Sequence, residues 1–173
     1  MKAAVFFERD GVLNQVAVRH QHQVQPLQMS DFKVNTALRP RLEELKRAGF
    51  VLLATTNQPE VSRGRLSRRE LDYMHDLLQR ELPLDGVLLC AHEEADQCTC
   101  RKPRTGLLTE AAFKWHLDLE RSYVISDKWQ DAQAAHIAGC TSILVQSPWN
   151  GKGHHDFVVP DVPGALNKVL QLQ

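Results

Sequence analysis

The stretch 3-AAVFFERDGVLN-14 opens the chain with an apolar run that ends at a carboxylate. The run 3–7 is short, rich in β-forming residues and free of polar side chains, which predicts a strand covered on both faces of a sheet. A carboxylate, a basic residue, a second carboxylate and a glycine follow at once. Because ligands of open α/β sheets bind beyond the carboxyl ends of the strands, we expect Glu8 and Asp10 to belong to a site there.

The rest of the chain alternates short apolar runs with helical patterns. Four more strands are predicted, at 50-FVLLAT-55, 87-VLLC-90, 123-YVI-125 and 142-SILV-145. Helices are predicted through Leu38, Leu42 and Leu45, after a capping box from Ser67 to Glu70, and over about 107–116 and 129–138. This alternation predicts an α/β fold with a doubly wound, Rossmann-like parallel sheet and helices on both faces.

Two regions fall outside the alternation. The segment 15–31 is rich in Gln and His, and we expect a loop that covers the mouth of the site or an exposed insertion. The residues 158–172 are predicted to add a short edge strand and a closing helix. The length of 173 residues suits one domain over residues 1–173, long enough to bury a core.

Composition excludes several classes of partner. Lys plus Arg (21) balances Asp plus Glu (21), so no overall field attracts nucleic acid or an anionic membrane. No apolar run approaches the roughly 18 residues that a membrane span needs, and Glu8 interrupts the first run too early for a signal peptide. We therefore expect a cytoplasmic monomer whose partner is a small molecule.

Polar clusters follow four of the predicted strands. They are Glu8 to Asp10, Thr56 to Gln58, Cys90 to Lys102, and Ser126 to Asp131. Phosphoryl transfer requires a carboxylate, a proton donor, hydroxyl and amide donors for the phosphate oxygens, and a cation, and these clusters supply each of them. Helix capping is the alternative for any single cluster. Because four such clusters each follow a predicted strand, we predict that they form one shared site.

Three cysteines and a histidine crowd into one short segment, 90–100. Cys90, His92, Cys98 and Cys100 form a CxHx5CxC pattern, which offers three thiolates and one imidazole. That set completes the tetrahedral shell of a closed, structural Zn²⁺ site and leaves no open position for catalysis. The alternative is reduced buried cysteines beside a surface histidine. With zinc, the loop would deliver Arg101 and Lys102 to the site.

The motifs 8-ERDGVLN-14, 56-TNQ-58, 90-CAHEEADQCTCRKP-103 and 126-SDKWQDAQAA-135 together resemble those of the haloacid dehalogenase (HAD) superfamily. The resemblance runs from about residue 3 to residue 145. Its best match is the small zinc-containing group that includes D,D-heptose 1,7-bisphosphate phosphatase and the histidinol-phosphatase domain. It implies a HAD-type fold without a large cap domain, and a magnesium-dependent phosphomonoesterase acting on a small sugar phosphate or a similar metabolite.

The resemblance also implies roles for single residues. Glu8 takes the place of the nucleophile, and Asp10 that of the general acid and then base. Thr56 and Asn57 would hold the phosphate, whose charge Lys102 would neutralise. The implied Mg²⁺ ligands are Glu8, Asp10 and Asp127, with Asp131 as a supporting carboxylate, and the implied Zn²⁺ ligands are Cys90, His92, Cys98 and Cys100.

Two arginines are candidate substrate contacts. Arg63 lies in the turn after the second motif, where a plain surface arginine is the alternative, and Arg101 follows the predicted zinc loop.

Glu8 departs from the family pattern, which has aspartate at this position. Its extra methylene, about 1.5 Å long, must be absorbed by a different rotamer if the carboxylate is to attack phosphorus in line. Three functions stay open: a heptose 1,7-bisphosphate 7-phosphatase, a histidinol-phosphate phosphatase, and a catalytically impaired relative that still binds phosphate. Ser126 replaces a usual glycine and would add strain if its φ were positive.

Overall fold

The computed structural model describes residues 1–173 and contains eight strands and six α-helices. The strands are β1 (Ala4–Glu8), β2 (Ala17–Arg19), β3 (His22–Val24), β4 (Val51–Asn57), β5 (Gly86–Cys90), β6 (Tyr123–Ser126), β7 (Thr141–Val145) and β8 (Phe157–Val159). The helices are α1 (Arg39–Arg47), α2 (Pro59–Ser62), α3 (Arg68–Glu81), α4 (Gly106–Trp115), α5 (Trp129–Ala138) and α6 (Val162–Leu172). No helix combines the length and the apolar composition that crossing a membrane requires.

Six strands form one parallel sheet in the order β5-β4-β1-β6-β7-β8. The chain builds outward from β1 to β4 and β5, then returns to the other side of β1 for β6, β7 and β8. The strand order therefore reverses at β1, and the carboxyl end of β1 is the position where such sheets bind ligands. The predicted parallel α/β fold, including the edge strand and the closing helix, is confirmed.

Both faces of the sheet are covered because successive strand residues point to opposite sides. Val5 and Phe7 of β1 belong to a core of 23 buried residues on one face, with the apolar sides of α1, α3 and α6. Ala4 and Phe6 belong to a core of 14 buried residues on the other face, with α4 and α5. The uninterrupted apolar runs in the sequence are the consequence of this double burial.

One local prediction was wrong in part. Ser67 caps α3, since its Oγ accepts the N–H of Glu70 at 3.0 Å. However, the Glu70 carboxylate does not return to Ser67, as a capping box requires, and instead accepts the N–H of Met29 at 2.5 Å. The segment 15–31, expected as a loop or an exposed insertion, contains a largely exposed hairpin of β2 and β3, whose turn residues His20 and Gln21 have φ of 50° and 64°.

Candidate active site

Glu8 is the last residue of β1 and lies buried at the point where the strand order reverses. Its Oε2 accepts a hydrogen bond from Lys102 Nζ at 2.6 Å, and the same ammonium donates to Asp131 Oδ1 at 2.7 Å. The other oxygen of Asp131 accepts the hydroxyl of Ser126 at 2.9 Å. Lys102 thus connects two carboxylates that are distant from each other in the sequence.

Two carboxylates share one ammonium in this cluster, so their pKa values separate. Burial raises the pKa of Glu8, but the charges of Lys102 and Lys128 outweigh it and hold the pKa below its usual range. For Asp131, burial together with the charge of Glu8 outweighs Lys102 and raises the pKa to about 7. Burial lowers the pKa of Lys102, but Asp131 and Glu8 together raise it above its usual value. Glu8 is therefore the ionised carboxylate, as a nucleophile must be.

Asp10 is buried and receives four hydrogen bonds. Arg9 donates to Oδ1 through Nε at 3.1 Å and Nη2 at 2.9 Å, Asn14 donates to the same oxygen at 2.9 Å, and Gln58 donates to Oδ2 at 2.9 Å. Burial raises the pKa of Asp10, but the Arg9 charge and the Asn14 hydrogen bond lower it below its usual range. Asp10 is thus held as a carboxylate, and donating a proton requires loss of at least one of these contacts.

Arg9 has no solvent exposure, which the sequence reasoning missed. Its guanidinium carbon lies 5.0 Å from the centroid of the Phe32 ring, and its Nη1 is 3.2 Å from His75 Nε2. Burial and the Arg9 charge lower the pKa of His75 to about 4, so the imidazole is neutral and accepts this hydrogen bond. A basic residue between two site carboxylates was the available signal, because a buried charge needs a partner.

The end of β4 supplies the hydroxyl and amide groups of the second motif. Thr56 is fully buried, and its Oγ1 accepts a hydrogen bond from Gln58 Nε2 at 2.8 Å. Asn57 Oδ1 is 3.4 Å from the main-chain nitrogen of Lys102, which joins this strand end to the loop after β5. Gln58 contacts both Asp10 and Thr56, although the sequence reasoning assigned it no role.

Asp127 follows β6 and stands beside the main chain of the first motif. Lys128 Nζ lies 2.7 Å from Asp127 Oδ1 and 2.7 Å from the main-chain oxygen of Asp10. Gly11 lies between them with φ of 89°, and a Cβ at this position would stand 2.5 Å from Asp127 Oδ2. Glycine at position 11 therefore permits the close approach of Asp127 to the turn after β1.

The hairpin within the segment 15–31 reaches the site through two glutamines. Gln23 Nε2 donates to Asp127 Oδ2 at 2.7 Å, and Gln25 Nε2 donates to the main-chain oxygen of Asn57 at 2.9 Å. The hairpin is thus fixed to the ends of two different strands of the sheet.

Comparison with known proteins identifies relatives of this chain. A HAD-hydrolase-like family model matches residues 99–164. D-glycero-β-D-manno-heptose-1,7-bisphosphate 7-phosphatase from Escherichia coli (strain K12) is 33% identical over 180 residues, which cover 96% of this chain and 87% of the relative. The enzyme of the same name from Salmonella typhi is 31% identical and covers 95% of each chain. This chain belongs to the HAD family of phosphatases.

A solved HAD-family structure has the same fold. The crystal structure of D,D-heptose 1,7-bisphosphate phosphatase from B. bronchiseptica, complexed with magnesium and phosphate, matches with a TM-score of 0.81. It is 27% identical and each chain covers 100% of the other. The predicted HAD-type fold without a large cap domain is confirmed.

The family's usual glycine before Asp127 is replaced by Ser126 without backbone strain. Ser126 is not among the residues with positive φ, and it ends β6 in an extended conformation. Its hydroxyl accepts the N–H of Lys128 at 3.0 Å and donates to Asp131. The substitution therefore adds two hydrogen bonds to the site.

The cysteine and histidine cluster is assembled as a group that can hold a metal. The ligand atoms of Cys90, His92, Cys98 and Cys100 all lie within 4.8 Å of one another. Three sulfurs and one imidazole nitrogen match the donors that a structural Zn²⁺ prefers. Cys140 is buried outside the cluster, where it packs as a small hydrophobe.

Neither candidate substrate arginine contacts the buried carboxylates. Arg63 pairs with Glu60 at 2.6 Å and with Glu93. Arg101 Nη1 donates to the main-chain oxygen of His92 at 3.3 Å, and its Nε lies 3.4 Å from Glu94. Both arginines contact residues of the segment 90–100.

Proposed function

We propose that this protein is a magnesium-dependent phosphomonoesterase acting on a small sugar phosphate. The observation that carries the proposal is the meeting of Glu8, Asp10 and Asp127 beside Lys102 at the carboxyl end of β1. This arrangement brings together a nucleophile, Glu8, and a proton donor, Asp10. The positive charge comes from Lys102 and from the proposed magnesium ion. We further propose that the protein acts as a monomer in the cytoplasm.

Oxygen ligands suit Mg²⁺, and HAD enzymes generally use it. We propose that Asp127, the main-chain oxygen of Asp10 and the carboxylate of Glu8 hold the ion. When bound, magnesium neutralises charge on the phosphoryl oxygens. The contacts of Lys128 support a cation site here, since its ammonium contacts both Asp127 and the main-chain oxygen of Asp10.

The chain's own residues account for the reaction. Lys102, Thr56 and Asn57 hold the phosphate. An oxygen of Glu8 attacks phosphorus, the bond to the sugar oxygen breaks, and Asp10 donates a proton to that leaving oxygen. Water then attacks the phosphorus of the acyl phosphate, Asp10 takes its proton, and the Glu8 carboxylate is restored.

The relatives favour a heptose bisphosphate as the substrate. Those that match over most of both chains are named D-glycero-β-D-manno-heptose-1,7-bisphosphate 7-phosphatases. We propose the same compound for this chain, with the 7-phosphate as the group released. A comparison of phosphate release from this compound and from histidinol phosphate tests the choice, and preference for histidinol phosphate would contradict it.

A specific observation favours a second candidate, a protein that binds phosphate with little turnover. Glu8 Oε1 accepts the main-chain N–H of Arg9 at 2.9 Å, so the longer side chain bends back toward its own strand end. Both of its oxygens are then occupied, since Oε2 contacts Lys102. Binding of phosphate without release of phosphate from any sugar phosphate would support this candidate.

Removal of one zinc ligand is predicted to unfold the loop after β5. We propose that Cys90, His92, Cys98 and Cys100 hold one structural Zn²⁺. Cys98→Ser should lower both the zinc content and the melting temperature, because the binding of a structural metal contributes folding free energy. Cys140→Ala is the matched control and should retain zinc. Full stability of a metal-free sample would contradict the assignment.

Loss of Asp127 is predicted to abolish stabilisation by magnesium. Mg²⁺ and inorganic phosphate should raise the melting temperature, because ligands that bind only the folded state stabilise it. Asp127→Ala should remove the magnesium-dependent part of this shift, whereas Asp76→Ala, at a carboxylate on α3 away from the site, should keep it. If neither ion shifts the melting of the unmutated protein, the proposed site is wrong.

A further inference from the structure

Lys128 stands inside the oxygen shell that the proposed function gives to magnesium. Its ammonium lies 2.7 Å from the main-chain oxygen of Asp10 and 2.7 Å from Asp127 Oδ1. Its main-chain N–H donates a hydrogen bond to Ser126 Oγ at 3.0 Å, which fixes the backbone of this residue. Its side chain is 22% exposed, which leaves a route to solvent.

The surroundings of Lys128 are anionic. Asp127 is in direct contact, and Glu8 and Asp131 also attract the ammonium. Arg9 pairs with Asp10 and Lys102 pairs with Glu8 and Asp131, so Lys128 is the only basic side chain that pairs with Asp127. Lys128 thus supplies a positive charge to the site in addition to those of Arg9 and Lys102.

We propose that Lys128 is an intramolecular competitor of Mg²⁺, so that the ion binds only when the ammonium leaves Asp10 and Asp127. The inference rests on the proposed magnesium site. The main-chain oxygen of Asp10 and the carboxylate of Asp127 would be ligands of Mg²⁺, which prefers oxygen donors, and both contact Lys128 Nζ. Two like charges do not share that position.

The second carboxylate oxygen of Asp127 has its own partner, so the site can persist while Mg²⁺ replaces the ammonium of Lys128. Gln23 Nε2 holds Oδ2 at 2.7 Å, so the carboxylate stays oriented when Oδ1 changes its partner. The lysine stem is flexible and its ammonium is strongly hydrated once outside. The apparent affinity for Mg²⁺ is then reduced by the fraction of molecules in which Lys128 has left.

Calorimetric titration of Mg²⁺ into magnesium-free protein that retains its zinc tests the competition. Lys128→Met should bind Mg²⁺ about tenfold or more tightly than the unmutated protein, because the competing population is removed. Lys128→Arg keeps a positive charge at this position, so its affinity for Mg²⁺ should lie below that of Lys128→Met. Lys114→Met, at a lysine on α4 over the Trp115 ring, is the matched control and should leave the affinity unchanged.

A labelling measurement on the unmutated protein provides a second test that needs no variant to fold. Acetylation of lysine amines, resolved by peptide mass spectrometry, should modify Lys128 several times faster when Mg²⁺ is present. Lys152, which is exposed in the turn after β7, should react at the same rate in both conditions.

The outcomes separate the two proposals. Unchanged or weaker Mg²⁺ binding by Lys128→Met, with unchanged labelling of Lys128, overturns the competition while the magnesium site itself stands. If Mg²⁺ binds neither the unmutated protein nor Lys128→Met, the magnesium site is wrong and the competition fails with it. Tighter binding together with faster labelling supports both.

Discussion

Glu8→Asp is expected to raise the rate of phosphate release from the sugar phosphate substrate by about one to three powers of ten. The shorter side chain restores the carboxylate position that is usual in the family while it keeps the charge that contacts Lys102. In-line attack depends steeply on geometry, and an error of about 1 Å can cost about a hundredfold in rate. Steady-state release of inorganic phosphate measures the effect.

Two variants control this comparison. Asp10→Asn should remove activity both from the unmutated protein and from the Glu8→Asp variant, because the proton donor serves either nucleophile. Glu43→Asp makes the same change at an exposed position on α1 and should leave the rate unchanged. A decrease in turnover with Glu8→Asp would show that the pocket has adapted to glutamate, contrary to the expected misplacement.

Lys102→Met is expected to lower the free energy of unfolding by about 3–5 kcal/mol at neutral pH. The change leaves Glu8 and Asp131 buried without the ammonium that both contact, at 2.6 and 2.7 Å. An uncompensated buried carboxylate has a folded-state pKa above its unfolded value, so it destabilises the protein at pH values above the unfolded pKa. The deficit should therefore shrink as the pH falls from about 7 toward about 4.

Urea unfolding followed by circular dichroism measures this deficit. Lys46→Met is the matched control, because Lys46 contacts Asp85 at 2.6 Å with 39% of its side chain exposed. Exposed ion pairs contribute about 0–1 kcal/mol, so the control should lose little stability. A loss below about 1 kcal/mol for Lys102→Met would contradict the buried network that joins Glu8, Lys102 and Asp131.

Much of the fold could be predicted because buried parallel strands and their helices have strong local patterns. The helix 129–138 was placed at its observed bounds, since Gly139 ends it in the left-handed conformation. The hairpin of β2 and β3 was missed because its strands have three residues each and are largely exposed, so no alternation of apolar and polar side chains marks them. The capping box predicted at Ser67 is incomplete because the Glu70 carboxylate accepts a hydrogen bond from Met29, 41 positions away.

The candidate site could be proposed where a motif follows a strand, and Glu8, Thr56, Lys102 and Asp127 were assigned to it in this way. Contacts between distant segments could not be predicted. Gln23 meets Asp127 across 104 positions, and Lys128 meets Asp10 across 118. Nothing in the local sequence of a glutamine in an exposed hairpin marks such a contact, because it depends on how the whole chain folds.

The most direct test of the proposed function is phosphate release from D-glycero-β-D-manno-heptose 1,7-bisphosphate with and without Mg²⁺, with Asp10→Asn as the blank. We expect release of one phosphate per molecule, from position 7, that requires Mg²⁺ and is absent in Asp10→Asn. Release by the unmutated protein that does not exceed the Asp10→Asn blank at saturating Mg²⁺, together with no gain in Glu8→Asp, would contradict the proposed function.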